Sequence, residues 1–154
     1  MDQHLKSYES AAHALLLDFQ WIEQVLRVVI GASYGLLSKA APTPVRFSPN
    51  KSYIDRDALG KLIERFGEVS ANETLIQELR VLTKDRNHVA HRAFVLSLEE
   101  QFSADFLKKE IERMADTRFR TRRCIDELMK DMTALFEALD ETPVSGAERL
   151  TPDE

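Results

Sequence analysis

Apolar residues recur every three or four positions through most of the chain, which is the spacing that lines one side of an α-helix. The first such run covers residues 2–40, and no proline interrupts it. It contains Leu5, Tyr8, Ala12, Leu15, Leu16, Phe19, Ile22, Val25, Leu26 and Val29. Gly31 and Gly35 weaken the helix prediction after residue 30, because glycine is a poor helix former. Their four-residue spacing favours a close contact between helices in the core.

Residues 41–54 hold three of the five prolines, which predicts a long loop with a candidate extended piece at 45–48. A short helix should follow, with Asp55 or Asp57 as its N-cap and Gly67 at its end. The apolar residues of that helix are Leu59, Leu62, Ile63 and Phe66.

Two further helices follow from the same periodicity. Ser70 to Glu73 reads as a capping box, and the helix that it begins should run to about Leu96 or Leu98. Ser103 should cap the last helix, which should reach Asp140. The polar residues 141–154 are expected to form a disordered tail. The pattern therefore predicts an all-α domain over residues 1–140, an up-and-down bundle of four to five helices with long first and last helices.

Composition restricts the function classes. The 154 residues carry a net charge of −5, which argues against a protein that coats nucleic acid over its whole surface but permits a local basic groove. The single cysteine, Cys124, makes no intramolecular disulfide and fits a reducing compartment. Its helical setting favours a small buried residue over a nucleophile, although nearby arginines could lower its pKa.

No segment predicts membrane association or secretion. The most apolar run, residues 28–37, is shorter than the roughly 20 residues that a membrane span needs. The first ten residues are polar and mixed in charge, unlike a secretory signal. We therefore expect a cytoplasmic protein with no membrane partner.

The segment RNHVAH, residues 86–91, concentrates chemistry on the third helix. Asn87 and His91 are four residues apart and share a helix face, so Asn87 can hydrogen-bond His91 and orient its ring. Arg86 lies about 140° around the helix from His91, but its length lets the guanidinium approach the ring. His88 and Arg92 share a different face.

A histidine can move a proton near neutral pH, and an arginine can stabilise the charge that develops on a phosphate. Together they suffice for RNA cleavage without a metal or other cofactor. In the alternative interpretation these are solvated side chains, with Asp85 pairing to Arg86 or His88. A zinc site at His88 and His91 is not expected, because the chain has no H-E-x-x-H pattern and His4 and His13 are distant in sequence.

The motif Arg86-Asn87-x3-His91 resembles the signature of the HEPN superfamily, in which a polar residue often follows the arginine. The resemblance covers roughly residues 5–140, although only the motif matches residue by residue. It implies a helical homodimer whose motif-bearing helices face each other. It also implies a metal-independent endoribonuclease of phage defence or a toxin–antitoxin pair, with RNA as substrate and an antitoxin or regulatory protein as partner.

On that resemblance Arg86 and His91 are catalytic, Asn87 orients His91, and His88 and Arg92 line the cleft or contact RNA. One HEPN subgroup has a tyrosine two residues after the histidine, where this chain has Ala93, so regulation through modification of that tyrosine is not expected. Other members bind nucleotides or act as scaffolds without cleaving RNA.

A second basic segment, Arg118 to Arg123, places four arginines in the last helix. Arg118, Arg122 and Arg123 are candidate RNA phosphate contacts. The alternative is a solvated stretch that pairs with Asp116, Asp126 and Glu127. We interpret Phe119 and Trp21 as residues of the core or of a dimer interface.

Three hypotheses follow from the sequence. The first is a dimeric HEPN endoribonuclease that leaves 2',3'-cyclic phosphate ends. The second is a non-catalytic HEPN dimer that binds RNA, a nucleotide or a protein. The third is a structural helical protein whose motif only packs the dimer.

Overall fold

The computed structural model of the chain describes residues 3–93 and 95–142, and in this part it is all-helical, as predicted. The five α-helices are α1 (Gln3–Ala40), α2 (Leu59–Val69), α3 (Glu73–Arg92), α4 (Leu98–Phe102) and α5 (Ala104–Glu141). A 3-10 helix spans Lys51–Arg56, and no strand is formed by the described residues. The predicted tail lies outside the described residues from residue 143 onwards.

The two long helices, α1 and α5, lie side by side and run in the same direction. Near the middle of both helices, Arg118 of α5 donates a hydrogen bond to Asp18 of α1. At their ends, the Lys39 ammonium donates to the Leu139 carbonyl at 2.8 Å. From the middle of the helices to their ends, a residue of α5 therefore lies beside the residue of α1 whose number is about 100 lower.

The core forms between α1, α2, α3 and α5. Its largest fully buried side chains include Tyr8, Leu15, Phe19, Ile22, Leu26, Ile30, Leu62, Ile63, Phe66, Ile76, Leu79 and Leu82. Full burial of each large apolar side chain contributes about 1.5–3 kcal/mol to folding before entropy is counted. Leu107, Met114, Cys124 and Leu128 supply the inner face of α5.

Two threonines complete the inner face of α5 where its apolar pattern is interrupted. Thr117 and Thr121 are buried, and their hydroxyls donate to the carbonyls of Arg113 and Thr117 one turn earlier. Because these bonds satisfy the hydroxyls inside the helix, threonine is tolerated in the core. The inner face is thus continuous through the arginine-rich segment.

The start of α2 differs from the prediction. Its N-cap is Ala58, which offers no side-chain hydrogen bond, so neither Asp55 nor Asp57 caps the helix. The Asp57 carboxylate instead pairs with Arg65, a partly buried contact within the same region. Gly67 does not end α2 either, because the helix continues to Val69 and packs Phe66 into the core.

The start of α3 lies two residues after the predicted one. Asn72 is the N-cap, and its side-chain oxygen accepts a 3.2 Å hydrogen bond from the Leu75 amide. The Ser70 hydroxyl accepts from the Asn72 amide instead, so the predicted capping box is wrong.

The end of α3 also differs, since the helix stops at Arg92 and not near Leu96 or Leu98. A separate helix, α4, begins with a capping box that the apolar periodicity did not predict. The Ser97 hydroxyl accepts from the Glu100 amide, and the Glu100 carboxylate accepts from the Ser97 amide. Ser103 caps α5 as predicted, accepting from the Phe106 amide at 3.3 Å.

The predicted loop 41–54 is shorter than expected, because the 3-10 helix begins at Lys51 with Asn50 as its N-cap. Arg27 of α1 holds this helix by donating to the carbonyls of Ile54 and Asp57 at 3.3 and 3.2 Å. The candidate extended piece at 45–48 is not a strand. Gly31 does not mark a close helix contact, since a Cβ there would meet nothing within 4 Å.

Candidate functional site at the end of helix α3

Arg86 and Asn87 contact each other on the penultimate turn of α3. The Arg86 guanidinium donates to the Asn87 side-chain oxygen at 3.2 Å. No hydrogen bond joins Asn87 to His91 among the described residues. The role of Asn87 in orienting His91 therefore stays a prediction.

Arg86 also reaches the side of α1. One of its nitrogens lies 3.9 Å from one carboxylate oxygen of Glu23. The other oxygen of Glu23 lies 3.6 Å from an Arg27 nitrogen. The Arg86 side chain stays 38% exposed, so part of the guanidinium remains accessible. The predicted partner Asp85 points instead toward α5, where it contacts Arg113 and Arg120.

His91 is exposed on the last turn of α3 and makes no hydrogen bond or ion pair within residues 3–93 and 95–142. Its helical position places it one turn after Asn87 on the same outward face. Its imidazole therefore has both ring nitrogens available to an incoming ligand. This is the accessibility that a proton-transfer group needs.

His88 faces the opposite flank and packs against α5. Its Nε2 lies 3.0 Å from an Arg113 nitrogen and 3.4 Å from a Glu110 carboxylate oxygen. One ring nitrogen carries either a proton or a lone pair, so Nε2 can accept from Arg113 or donate to Glu110 but not both at once. His88 joins α3 to α5 and does not share a contact with His91.

Arg92 is held by the elements that follow it. Its guanidinium pairs with the Glu100 carboxylate of α4 and lies 5.6 Å from the centre of the Phe106 ring. The backbone amide of Ser97, and then Arg92 itself, lower the pKa of Glu100 and keep it ionised. Arg92 thus ties α4 and α5 to the end of α3.

The four arginines of the second basic segment point in three directions. Arg118 and Arg122 both donate to Asp18 of α1, at 2.7 and 3.4 Å. Arg120 donates to Glu78 and Asp85 of α3, at 2.8 and 3.2 Å. Arg123 is exposed and has no ion pair among the described residues. The anticipated partners Asp116, Asp126 and Glu127 do not hold these arginines.

Sequence reasoning missed the groups that fix the site from outside α3. Glu23, Glu110 and Arg113 each contact a motif residue, yet none was singled out. The spacing of Arg113 and Arg120 contained a signal, since residues seven apart share a helix face and both reach Asp85.

Cys124 is buried, and burial raises the pKa of its thiol to about 11. Roughly one thiol in ten thousand is then ionised at pH 7, which makes Cys124 a poor nucleophile there. Within the described ranges, no group of three or more His, Cys, Asp or Glu side chains is placed to hold a metal ion.

Several large apolar side chains are exposed near the site. Val95, Leu98 and Phe102 are each about three-quarters exposed, and they directly follow the motif in the chain. Trp21 and Phe119 are also exposed, so neither belongs to the core of the single chain.

Comparison with known proteins identifies no relative. A scan against models of protein families finds no match, and searches of curated proteins and of solved structures likewise find none. Among the described helices, none is long and apolar enough to cross a membrane.

Proposed function

We propose that the protein is a metal-independent endoribonuclease of HEPN type that acts as a pair of chains. The observation that carries the proposal is the contrast between two side chains of one motif. Arg86 is anchored by Asn87, whereas His91, one turn later, is exposed and unengaged. An anchored cation and an available imidazole are the two groups that phosphodiester cleavage requires.

The reaction uses the RNA's own 2'-hydroxyl. One imidazole accepts the hydroxyl proton while the oxygen attacks the adjacent phosphorus, and the bond from phosphorus to the 5'-oxygen breaks. A protonated imidazole donates a proton to that leaving oxygen. Arg86 stabilises the charge on the non-bridging oxygens. The products are a 2',3'-cyclic phosphate and a free 5'-hydroxyl.

Two chains are proposed because Arg86 and His91 of the same chain lie on different sides of α3. Arg86 and His91 lie about 140° apart around α3, and Arg86 reaches toward α1 while His91 faces outward. A second copy that meets this outward face brings its own Arg86 to the first copy's His91. The site is then composite, with one histidine of the pair as base and the other as acid.

The proposed RNA contacts differ in accessibility. Arg123 is exposed and has no carboxylate partner among the described residues, so it is the arginine that we propose for phosphate binding. Arg118 is engaged with Asp18 and only 39% exposed. His88 and Arg92 act by holding the end of α3 against α5 and α4.

The test is RNA cleavage by the purified protein in EDTA, with single-stranded RNA and a 2'-deoxy copy as substrates. We expect the RNA alone to be cut, with cyclic phosphate ends. His91→Ala should lower the rate at least a hundredfold, the low end of the loss typical of a general acid–base group. His13→Ala is the matched control, because His13 is an exposed histidine of α1 outside the motif, and its rate should be unchanged.

Mixing variants tests the composite site. An excess of inactive His91→Ala chains should inactivate the wild type on mixing, because each mixed dimer then lacks one of the two histidines that act as base and acid. Equal cutting by the wild type and His91→Ala would overturn the proposal. Salt-dependent RNA binding without cutting by any protein would favour the non-catalytic binding module instead.

A further inference from the structure

The outward face of α1 carries a second apolar stripe, on the side away from the core. Leu17, Trp21 and Val28 are 49%, 53% and 43% exposed. Three smaller or polar positions complete the series, namely Ala14, Gln24 and Gly31. Consecutive members alternate between three and four residues apart from 14 to 31, which is the spacing of a helix that packs along another helix.

Leu17, Trp21 and Val28 of the stripe are exposed in the part of the chain that the structure describes. A Cβ added to Gly31 would meet no atom within 4 Å. On one side the stripe continues onto α5, where Asp18, Trp21, Arg122, Ile125 and Asp126 line a shallow depression. The face is thus α1 together with one flank of α5.

We propose that this face binds a second copy of the chain, with the two α1 helices antiparallel. In this register, residues that meet have numbers that add up to 45. Leu17 then packs on Val28 of the second copy, and Ala14 packs on its Gly31, where two small residues allow close approach. In an antiparallel pair of helices, a stripe position that follows a four-residue step on one helix packs against a position that follows a three-residue step on the other.

The polar position in the stripe supports the same register. Trp21 meets Gln24 of the second copy, and the indole N–H needs an acceptor once it is buried. The side-chain oxygen of Gln24 supplies that acceptor. A single polar residue in an otherwise apolar stripe also fixes the register of paired helices.

The charges on α5 are self-complementary in this arrangement. Because α5 runs parallel to α1 with an offset of about 100, Arg122 lies near the level of Ile22 and Asp126 lies near the level of Leu26. The two-fold axis therefore brings Arg122 of each copy to within about one helical turn of Asp126 of the other, a span that the long arginine side chain can cover. Arg118 remains on Asp18 within each copy.

The size of the face suits a modest dimer contact. From residue 14 to residue 31, α1 is about 27 Å long, and the two helices side by side are about 20 Å wide. The resulting area, about 540 Å², is roughly two-thirds of the ~800 Å² per partner that stable complexes bury. The face shares no residue with the outward face of α3, so this contact and the proposed composite site can coexist. It assigns Arg122 to the interface and not to RNA.

The first test compares self-association of the wild type, Trp21→Glu and Tyr53→Glu by sedimentation velocity. Tyr53 is the matched control, because it is an aromatic of similar exposure on the 3-10 helix, outside the proposed face. We expect Trp21→Glu to weaken association at least a hundredfold and Tyr53→Glu to change it less than threefold. A monomeric wild type, or equal effects of the two changes, would overturn the proposal. Far-UV circular dichroism verifies that each variant is folded.

Charge reversal tests whether the partner is a second copy. Arg122→Asp and Asp126→Arg should each weaken association, because each leaves like charges facing across the axis. The double variant should restore it within about threefold. Association that is unchanged by the single variants, or not restored by the double one, would contradict the register.

Disulfide trapping tests the direction of the helices. A chain with both Ala14→Cys and Gly31→Cys should form a covalent dimer on oxidation, whereas chains with either change alone should not. Crosslinking of the Ala14→Cys chain by itself would mean a parallel pair and would overturn the antiparallel arrangement.

Discussion

Asp18 of α1 accepts a 2.7 Å hydrogen bond from Nε of Arg118 on α5. The Asp18 side chain is only 15% exposed, and Arg122 shares the same carboxylate. The arginine-rich segment, residues 118–123, therefore holds α5 against α1 through Arg118 and Arg122, and we call this contact the clamp. Its arginines contribute first to the fold, and only the exposed remainder is available to a ligand.

Asp18→Asn should lower the free energy of unfolding by about 1 kcal/mol, since it removes the anion shared by two partly exposed cations. The loss should shrink in high salt, because salt screens exposed pairs. Urea unfolding at two salt concentrations and one protein concentration measures it. Asp116→Asn is the control, as Asp116 is exposed and forms no ion pair among the described residues. An equal loss for both variants would contradict the clamp.

Arg120→Ala should cost about 1 kcal/mol, because it removes the cation that Glu78 and Asp85 share, while Glu78 is partly exposed and Asp85 keeps Arg113. Arg123→Ala should stay within about 0.5 kcal/mol, because Arg123 is exposed. Thermal unfolding of the two variants, followed by circular dichroism, compares the effects. The opposite order would show that Arg123, and not Arg120, joins the helices.

Leu128→Ala should destabilise the protein by about 2–5 kcal/mol, since Leu128 is completely buried on the inner face of α5. The same truncation at Leu98, which is 74% exposed, should cost less than about 0.5 kcal/mol. Chemical denaturation gives both values. A large cost at Leu98 would mean that α4 is covered by a partner in solution.

Burial of Cys124 predicts a dependence of stability on alkaline pH. The thiol pKa is raised from 9.0 to about 11, so the folded state holds the proton more tightly than the unfolded state does. Its contribution is fully present below pH 9 and is lost as the pH rises through about 11. Tyr8, whose pKa burial also raises, adds to the same trend.

Cys124→Ala should therefore flatten the fall in unfolding free energy between pH 9 and about 11 compared with the wild type. Urea denaturation across that range measures the slopes of both proteins. At pH 8, a thiol reagent should modify Cys124 of the wild type only as fast as the folded protein opens transiently and exposes the thiol. Fast modification of the folded protein would show that the thiol is accessible and ionised.

Local signals were sufficient for the helices and insufficient for several of their ends. The three- and four-residue periodicity predicted α1 and α5 almost to their final residues, and Ser103 was identified as a cap. The N-caps Asn72 and Ser97 were not predicted, because several residues that can cap a helix lie close together in each stretch. Which residue caps depends on where the chain must turn to pack, and the turn is set by contacts far away in sequence.

The sequence by itself determined that the chain is helical and that Arg86, Asn87 and His91 share the end of one helix, because helical geometry follows from backbone periodicity. Only the tertiary structure decided the partners. In the folded chain Asn87 contacts Arg86, His88 contacts Glu110 and Arg113, and Arg118 contacts Asp18. Long charged side chains reach in several directions, so their bonds depend on which neighbouring helix supplies the nearest opposite charge.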